Sequence, residues 1–221
     1  MSSPSKMWSP VKDHFYYFAY GSNLLKRRIR INNPTAEFMG IGKLNLNFIK
    51  YSDHWRGSSA TIIPTESSYV WGAIWRLHNK DMTSLDWQEG VKDNWYFPKT
   101  VDVITSDGNT VPCRTYQQTI NPPLRKPNED IPPERRPSIT YLKCILNGAK
   151  ECNLPEDYVA ELKKIPHNGQ EELVKQALRL FCLSVCLSPG CISHTKNMIF
   201  WPFFLLDNNN GNRHLKFSER S

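Results

Sequence analysis

The sequence predicts an α+β fold in which five or six strands curve or close into one sheet and short helices flank it. Three observations carry that reading. Strand patterns crowd residues 14–118, helical patterns dominate after residue 138, and strand and helix do not alternate regularly. The chain has 221 residues, 39% of them hydrophobic and 22% charged, which suits one soluble globular domain with its own core.

The first strand is the aromatic run Tyr16-Tyr17-Phe18, which leads into the turn Tyr20-Gly21-Ser22-Asn23. Gly21 permits backbone angles that cost a residue with a β-carbon, and Ser22 or Asn23 suits the cap of the helix that follows. Residues 43–51 alternate, with Leu44, Leu46 and Phe48 on one face and Asn45 and Asn47 on the other. Residues 59–64 and 69–77 read as the next strands, the second placing Tyr69, Trp71, Ala73 and Trp75 on one side. Residues 82–89 read as a helix, with Thr83 and Asp86 at capping-box spacing and Gly90 as its left-handed close. Strands over 96–105 and 110–118 flank Ser106-Asp107-Gly108-Asn109, a hairpin signal.

Six prolines between Asn121 and Pro137 cannot build a ladder and mark a long surface loop. Ser138 then caps a helix to about Gly148, and Pro155 takes the first position of a helix over 156–164. A last helical pattern starts near Gln170 and turns Leu173, Ala177, Leu178 and Phe181 inward. The domain is therefore expected over 14–181. Residues 182–221, with an apolar run at 198–206 and an asparagine-rich stretch, read as an atypical, poorly ordered extension.

The formal net charge is +7, but the basic groups (Lys26-Arg27-Arg28 with Arg30, Arg125-Lys126, Arg135-Arg136, Lys163-Lys164) are scattered. A nucleic-acid binder gathers them on one face, so no nucleic-acid partner is expected, and the surface favours small anions. The six cysteines form no C-x-x-C pair, and residues 1–12 lack the apolar segment of a signal peptide. Reduced thiols and a cytoplasmic location follow as expectations. No apolar run approaches the ~18 residues of a membrane span, so no membrane partner is expected. Cys182, Cys186, Cys191 and His194 match no zinc spacing, and no metal is expected.

Two segments carry candidate chemistry. The Tyr20-Gly21-Ser22-Asn23 corner is open to two readings: an ordinary strand-to-helix connection, or backbone N–H groups that hold a carboxylate or an oxyanion. Glu89 stands in the last turn of its helix, where the dipole raises a carboxyl pKa, and Trp87, Trp95 and Tyr96 would desolvate it further. Such a glutamate suits a general base; a solvent-facing helix end is the alternative.

Taken in order, the motifs resemble the γ-glutamylcyclotransferase family. Phe18-Ala19-Tyr20-Gly21-Ser22-Asn23-Leu24 is followed by Leu85-Asp86-x-x-Glu89-Gly90, by Tyr96, and by Cys113-Arg114-x-Tyr116. Tyr141 then precedes Gly148-Ala149-Lys150-Glu151 and Asn153-Leu154-Pro155, a stretch similar to the animal members of that family. The resemblance covers about residues 14–173. It implies a five-stranded barrel-like sheet, a homodimer, and neither metal nor organic cofactor. It also implies conversion of a γ-glutamyl amino acid to 5-oxoproline and the free amino acid. Glu89 would be the proton acceptor. Tyr17, Phe18, Ala19, Tyr20, Gly21, Ser22 and Asn23 would hold the glutamyl group, with Tyr96 and Tyr141 lining the same cavity. A related cyclotransferase acting on glutathione or on γ-glutamyl amines would share these residues, and a non-catalytic binding protein could retain them. The 121–137 loop is longer than the family's, and 182–221 has no counterpart there.

Overall fold

The computed structural model describes residues 8, 12–52, 58–121 and 130–169. The helical pattern from Gln170, the cysteine and histidine cluster at 182–194, the extension 182–221 and residues 122–129 of the proline-rich loop lie outside these residues.

Five strands close into a barrel in the order β1-β3-β2-β4-β5. They are β1 (His14–Ala19), β2 (Glu37–Ser52), β3 (Ser59–His78), β4 (Tyr96–Thr105) and β5 (Thr110–Gln118). Their pairings are antiparallel except β1 with β5, which run parallel where Tyr17 faces Arg114. Among the described residues the α-helices are α1 (Lys26–Asn32), α2 (Met82–Gln88), α3 (Ile139–Glu151) and α4 (Glu156–Lys163). A 3-10 turn, Ser22–Leu24, precedes α1, and another, Asn79–Asp81, precedes α2. Among the described residues no helix is long and apolar enough to cross a membrane.

The two strands read at 59–64 and 69–77 are one. Against β2, Asn45 faces Tyr69 and Asn47 faces Pro64, so residues 65–68 form a bulge while the strand continues. The polar run Thr65-Glu66-Ser67-Ser68 resembles a break yet is extended chain. β2 also starts six residues earlier than its alternation suggests, because a second register shift between Phe38 and Gly40 interrupts the pattern. β4, β5 and the hairpin between them stand where the sequence puts them.

The core runs through the barrel and under α3. Phe18, Ile62, Val70, Ile74, Trp75, Leu77, Val103 and Val111 are buried, each contributing roughly 1.5–3 kcal/mol. α3 presents Leu142, Ile145, Gly148 and Ala149 inward, and its Ser138 cap accepts from the Tyr141 N–H at 3.1 Å. Gly148 touches the main chain of the first 3-10 turn: a β-carbon there would stand 2.5 Å from the Leu25 nitrogen. Only glycine lets the two segments meet. Two turns earlier on the same face is Tyr141.

Three expected caps differ. α1 begins after Leu25, which carries no capping oxygen, so neither Ser22 nor Asn23 caps it. α2 begins at Met82 with Asp81 before it, which places Thr83 inside the helix and frees Asp86 for another role. Pro155 stands one residue ahead of α4, with φ −50° and ψ 136°.

Candidate active site

At one end of the barrel β1 and β5 finish while β3 and β4 begin, and the candidate residues gather there. Tyr20 is pinned across it: its hydroxyl donates to the Tyr116 carbonyl at 2.5 Å. Gly21 follows with φ −112°, outside the left-handed region, so space explains this glycine rather than angle. A β-carbon at Gly21 would stand 3.1 Å from the Tyr141 hydroxyl and 3.7 Å from the Ala60 methyl.

Glu89 follows the last residue of α2, and Gly90, at φ 65°, reverses the chain behind it. Desolvation inside the protein pushes the Glu89 pKa up from 4.5 to about 7. The Arg28 charge and a hydrogen bond from Asn23 act in the opposite direction, and the Asp86 charge adds to the rise. Trp87 is not the desolvating group the sequence suggests, since it is 49% exposed, while Trp95 packs on Gly90.

Asn23 links this carboxyl to the turn. Its Nδ2 donates to Glu89 Oε1 at 2.9 Å and to the Tyr17 hydroxyl at 3.0 Å. Its Oδ1 accepts from Gln88 Nε2 at 2.9 Å. Asp86 faces β5 instead, accepting from Arg114 Nη2 at 2.5 Å and from the Tyr116 hydroxyl. Arg114 Nε donates to that same hydroxyl at 2.9 Å. The trio ties α2, and Glu89 with it, to the barrel wall.

Four phenols surround the site. Burial raises the pKa of Tyr17, Tyr20, Tyr96 and Tyr141, and in all four the Glu89 charge adds to that rise, so they stay protonated at neutral pH. Tyr96 donates to the Ala60 carbonyl at 2.7 Å and accepts from Gln118 Nε2 at 3.0 Å. Tyr141 accepts from the Ala60 N–H at 3.0 Å, which leaves its own O–H available to donate.

Comparison with known proteins decides the family. Residues 69–162 match the model of the AIG2-like family. Over 173 residues the chain is 39% identical to a Bos taurus protein named gamma-glutamylcyclotransferase, covering 75% of this chain and 86% of that one. A Homo sapiens protein of the same name is 40% identical over 176 residues, covering 76% and 88%. The chain belongs to the γ-glutamylcyclotransferase family. A solved structure titled gamma-glutamyl cyclotransferase superposes with a TM-score of 0.64 at 34% identity, covering 76% of this chain and 99% of that one. A human structure titled as an uncharacterized protein gives a TM-score of 0.65 at 36% identity, covering 72% and 92%.

Within this γ-glutamylcyclotransferase fold, the residues named from sequence divide into two groups. Tyr17, Tyr20, Gly21, Asn23, Glu89, Tyr96 and Tyr141 come together at the barrel end through the contacts above. Phe18 and Ala19 are fully buried: the Phe18 carbonyl accepts from Thr115 Oγ1 at 2.9 Å, and Ala19 pairs with Ala73. Their side chains serve the core. Ser22 opens the 3-10 turn, where its N–H has no acceptor within the turn. Sequence reasoning missed Gln88, Arg28, Ala60 and Gln118. Only Gln88 carried a local signal, as a second polar side chain beside Glu89 at a helix end.

Proposed function

We propose that this chain converts γ-glutamyl amino acids to 5-oxoproline and the free amino acid, with Glu89 as general base. The observation that carries the reading is a part-buried carboxyl that Asn23 holds beside a wall of neutral phenols, its pKa pushed up to about 7 by desolvation. The substrate's α-ammonium cannot attack until it loses a proton, and Glu89 is poised to take one at neutral pH. A C–N bond then forms between that nitrogen and the γ-carbonyl carbon. The bond to the departing nitrogen breaks as Glu89 returns the proton to it, and the second proton that the ring nitrogen sheds leaves with the released amine as its ammonium.

The family membership and the geometry support roles for the other groups. The substrate supplies its own nucleophile, so the site's task is alignment, worth several kcal/mol when amine and carbonyl meet correctly. The Tyr141 O–H is suited to donate to the developing oxyanion. The Ser22 and Asn23 N–H groups, with Tyr17, Tyr20 and Gly21 around them, are suited to the glutamyl α-carboxylate. Tyr96 braces the wall through Ala60.

Cys113 and Cys152 are free thiols, which supports a reducing, cytoplasmic setting. Exposed Ile31, Phe38 and Trp87 support a homodimer, to be read by light scattering after size exclusion. We place the catalytic domain at 14–181 and treat 182–221 as an extension.

The decisive experiment compares wild type with Glu89→Gln. Turnover of γ-glutamyl-alanine to 5-oxoproline is expected to fall at least ~100-fold with the fold intact. Near-normal turnover would remove Glu89 from the mechanism. Faster 5-oxoproline release from glutathione than from γ-glutamyl-alanine would reassign the substrate.

A further inference from the structure

Behind Asn23 runs a chain of side-chain amides that leads away from the site. Gln88 donates through Nε2 to Asn23 Oδ1 at 2.9 Å. Gln88 Oε1 accepts from Asn32 Nδ2 and from Asn33 Nδ2, both at 3.2 Å. Asn33 is fully buried, and its Nδ2 also donates to the Ile29 carbonyl at 3.2 Å.

The last contact gives the chain a direction. A backbone carbonyl accepts and never donates, so the Asn33 atom facing Ile29 must be the NH2 group. That NH2 also faces Gln88, so Gln88 must present its oxygen there and its NH2 to Asn23. Asn23 must then present its oxygen to Gln88 and its NH2 to Tyr17 and Glu89. Each amide's orientation is set by the one behind it, starting from the main chain of α1.

We propose that Gln88, backed by Asn32 and Asn33, is a positioning residue that fixes the polarity of the Asn23 amide so that Glu89 faces a donor. A donor favours the ionised carboxylate, the form that can accept a proton. Were the Asn23 amide turned over, its oxygen would face Glu89 and favour the protonated acid, which cannot act as a base. Gln88 also hydrogen-bonds Glu89 itself and favours the carboxylate as Asn23 does, whereas Asn32 and Asn33 act only through Gln88. The functional consequence rests on Glu89 being the base, as proposed above.

Gln88→Met tests this, since it keeps the length of the side chain and removes both hydrogen-bonding groups without adding charge. Glu89 is titrated in the substrate-free protein by carboxyl carbon NMR, and the acid limb of kcat/KM is measured with γ-glutamyl-alanine. The titration midpoint and the acid limb are both expected to rise by about one pH unit, with activity at pH 7 down several-fold and recovering at higher pH. Asn33→Leu provides the second variant: it leaves Gln88 in place and removes the buried donor that orients its amide, so a rise of the same sign is expected.

An unchanged Glu89 midpoint in the folded variants would overturn the proposal. So would a loss of activity whose pH profile stays in place, since that marks a structural role alone. The NMR titration needs no turnover, so it separates this proposal from the assigned reaction. Retained turnover in Glu89→Gln would sink the base assignment and leave the amide polarity standing.

Discussion

The Asn23 amide donates to the Glu89 carboxyl at 2.9 Å across 66 positions of sequence, joining the turn after β1 to the end of α2. Neither residue has this partner until the barrel has closed. The bond also fixes the balance on which the carboxyl rests: burial raises its proton affinity, while Asn23 and Arg28 restrain the rise.

That balance sets the pH dependence. Activity should require ionised Glu89 and fall on the acid side with a midpoint near 7. Removing the Arg28 charge by Arg28→Gln should move this limb to higher pH, because a positive neighbour favours the carboxylate. The limb of kcat/KM against pH checks both statements, and a shift to lower pH in Arg28→Gln would contradict them.

The same carboxyl should weaken the fold. Its folded pKa of about 7 lies above the unfolded value of about 4.5, so the folded state binds more protons between them. Stability therefore declines as pH rises through this window, and the loss is complete above 7. At 1.36 kcal/mol per unit the loss is on the order of 3 kcal/mol. Glu89→Gln should accordingly melt several degrees above wild type at pH 8 and near it at pH 4.5. Thermal unfolding at the two pH values checks this; an equal difference at both would show that ionisation is not the cause.

Gly21→Ala should impair the site and spare the fold. The added methyl would press on the Tyr141 hydroxyl, which the Ala60 N–H holds, and would narrow the site proposed for the glutamyl group. A loss of ~10-fold or more in kcat/KM is expected, on the scale that small misplacements produce. Kinetics with γ-glutamyl-alanine, beside a melting curve, would show it.

Asp86→Ala should act through stability first. It removes the acceptor shared by Arg114 and Tyr116, whose link is only part-buried and so worth less than a fully buried pair. A loss of about 1–2 kcal/mol is expected in denaturant unfolding. Because α2 would also lose its tie to β5, kcat should fall as well.

The sequence carried the local features well. β4 and β5 end where their turn residues end them, Ser138 caps α3, and Gly90 reverses the chain after α2. It failed where partners are remote. Asp86 resembles a capping residue in its own segment, and only the closed barrel brings Arg114 and Tyr116 to it. Asn23 likewise resembles a helix cap, yet Tyr17, Gln88 and Glu89 claim its amide. Ala60 offers no side-chain signal, because it works through its N–H and carbonyl. The continuity of β3 was hidden by four polar residues that bulge without ending the strand.

Gly148 places a fulcrum under the reaction. The main chain it touches cannot yield as a flexible side chain would, so any larger residue must tilt α3. Tyr141 rides two turns along that lever, and its hydroxyl would swing away from Ala60 and Gly21. A position outside the proposed site thus sets where the Tyr141 hydroxyl stands. Inherited or engineered changes at Gly148 would behave as catalytic lesions although they lie wholly in the scaffold.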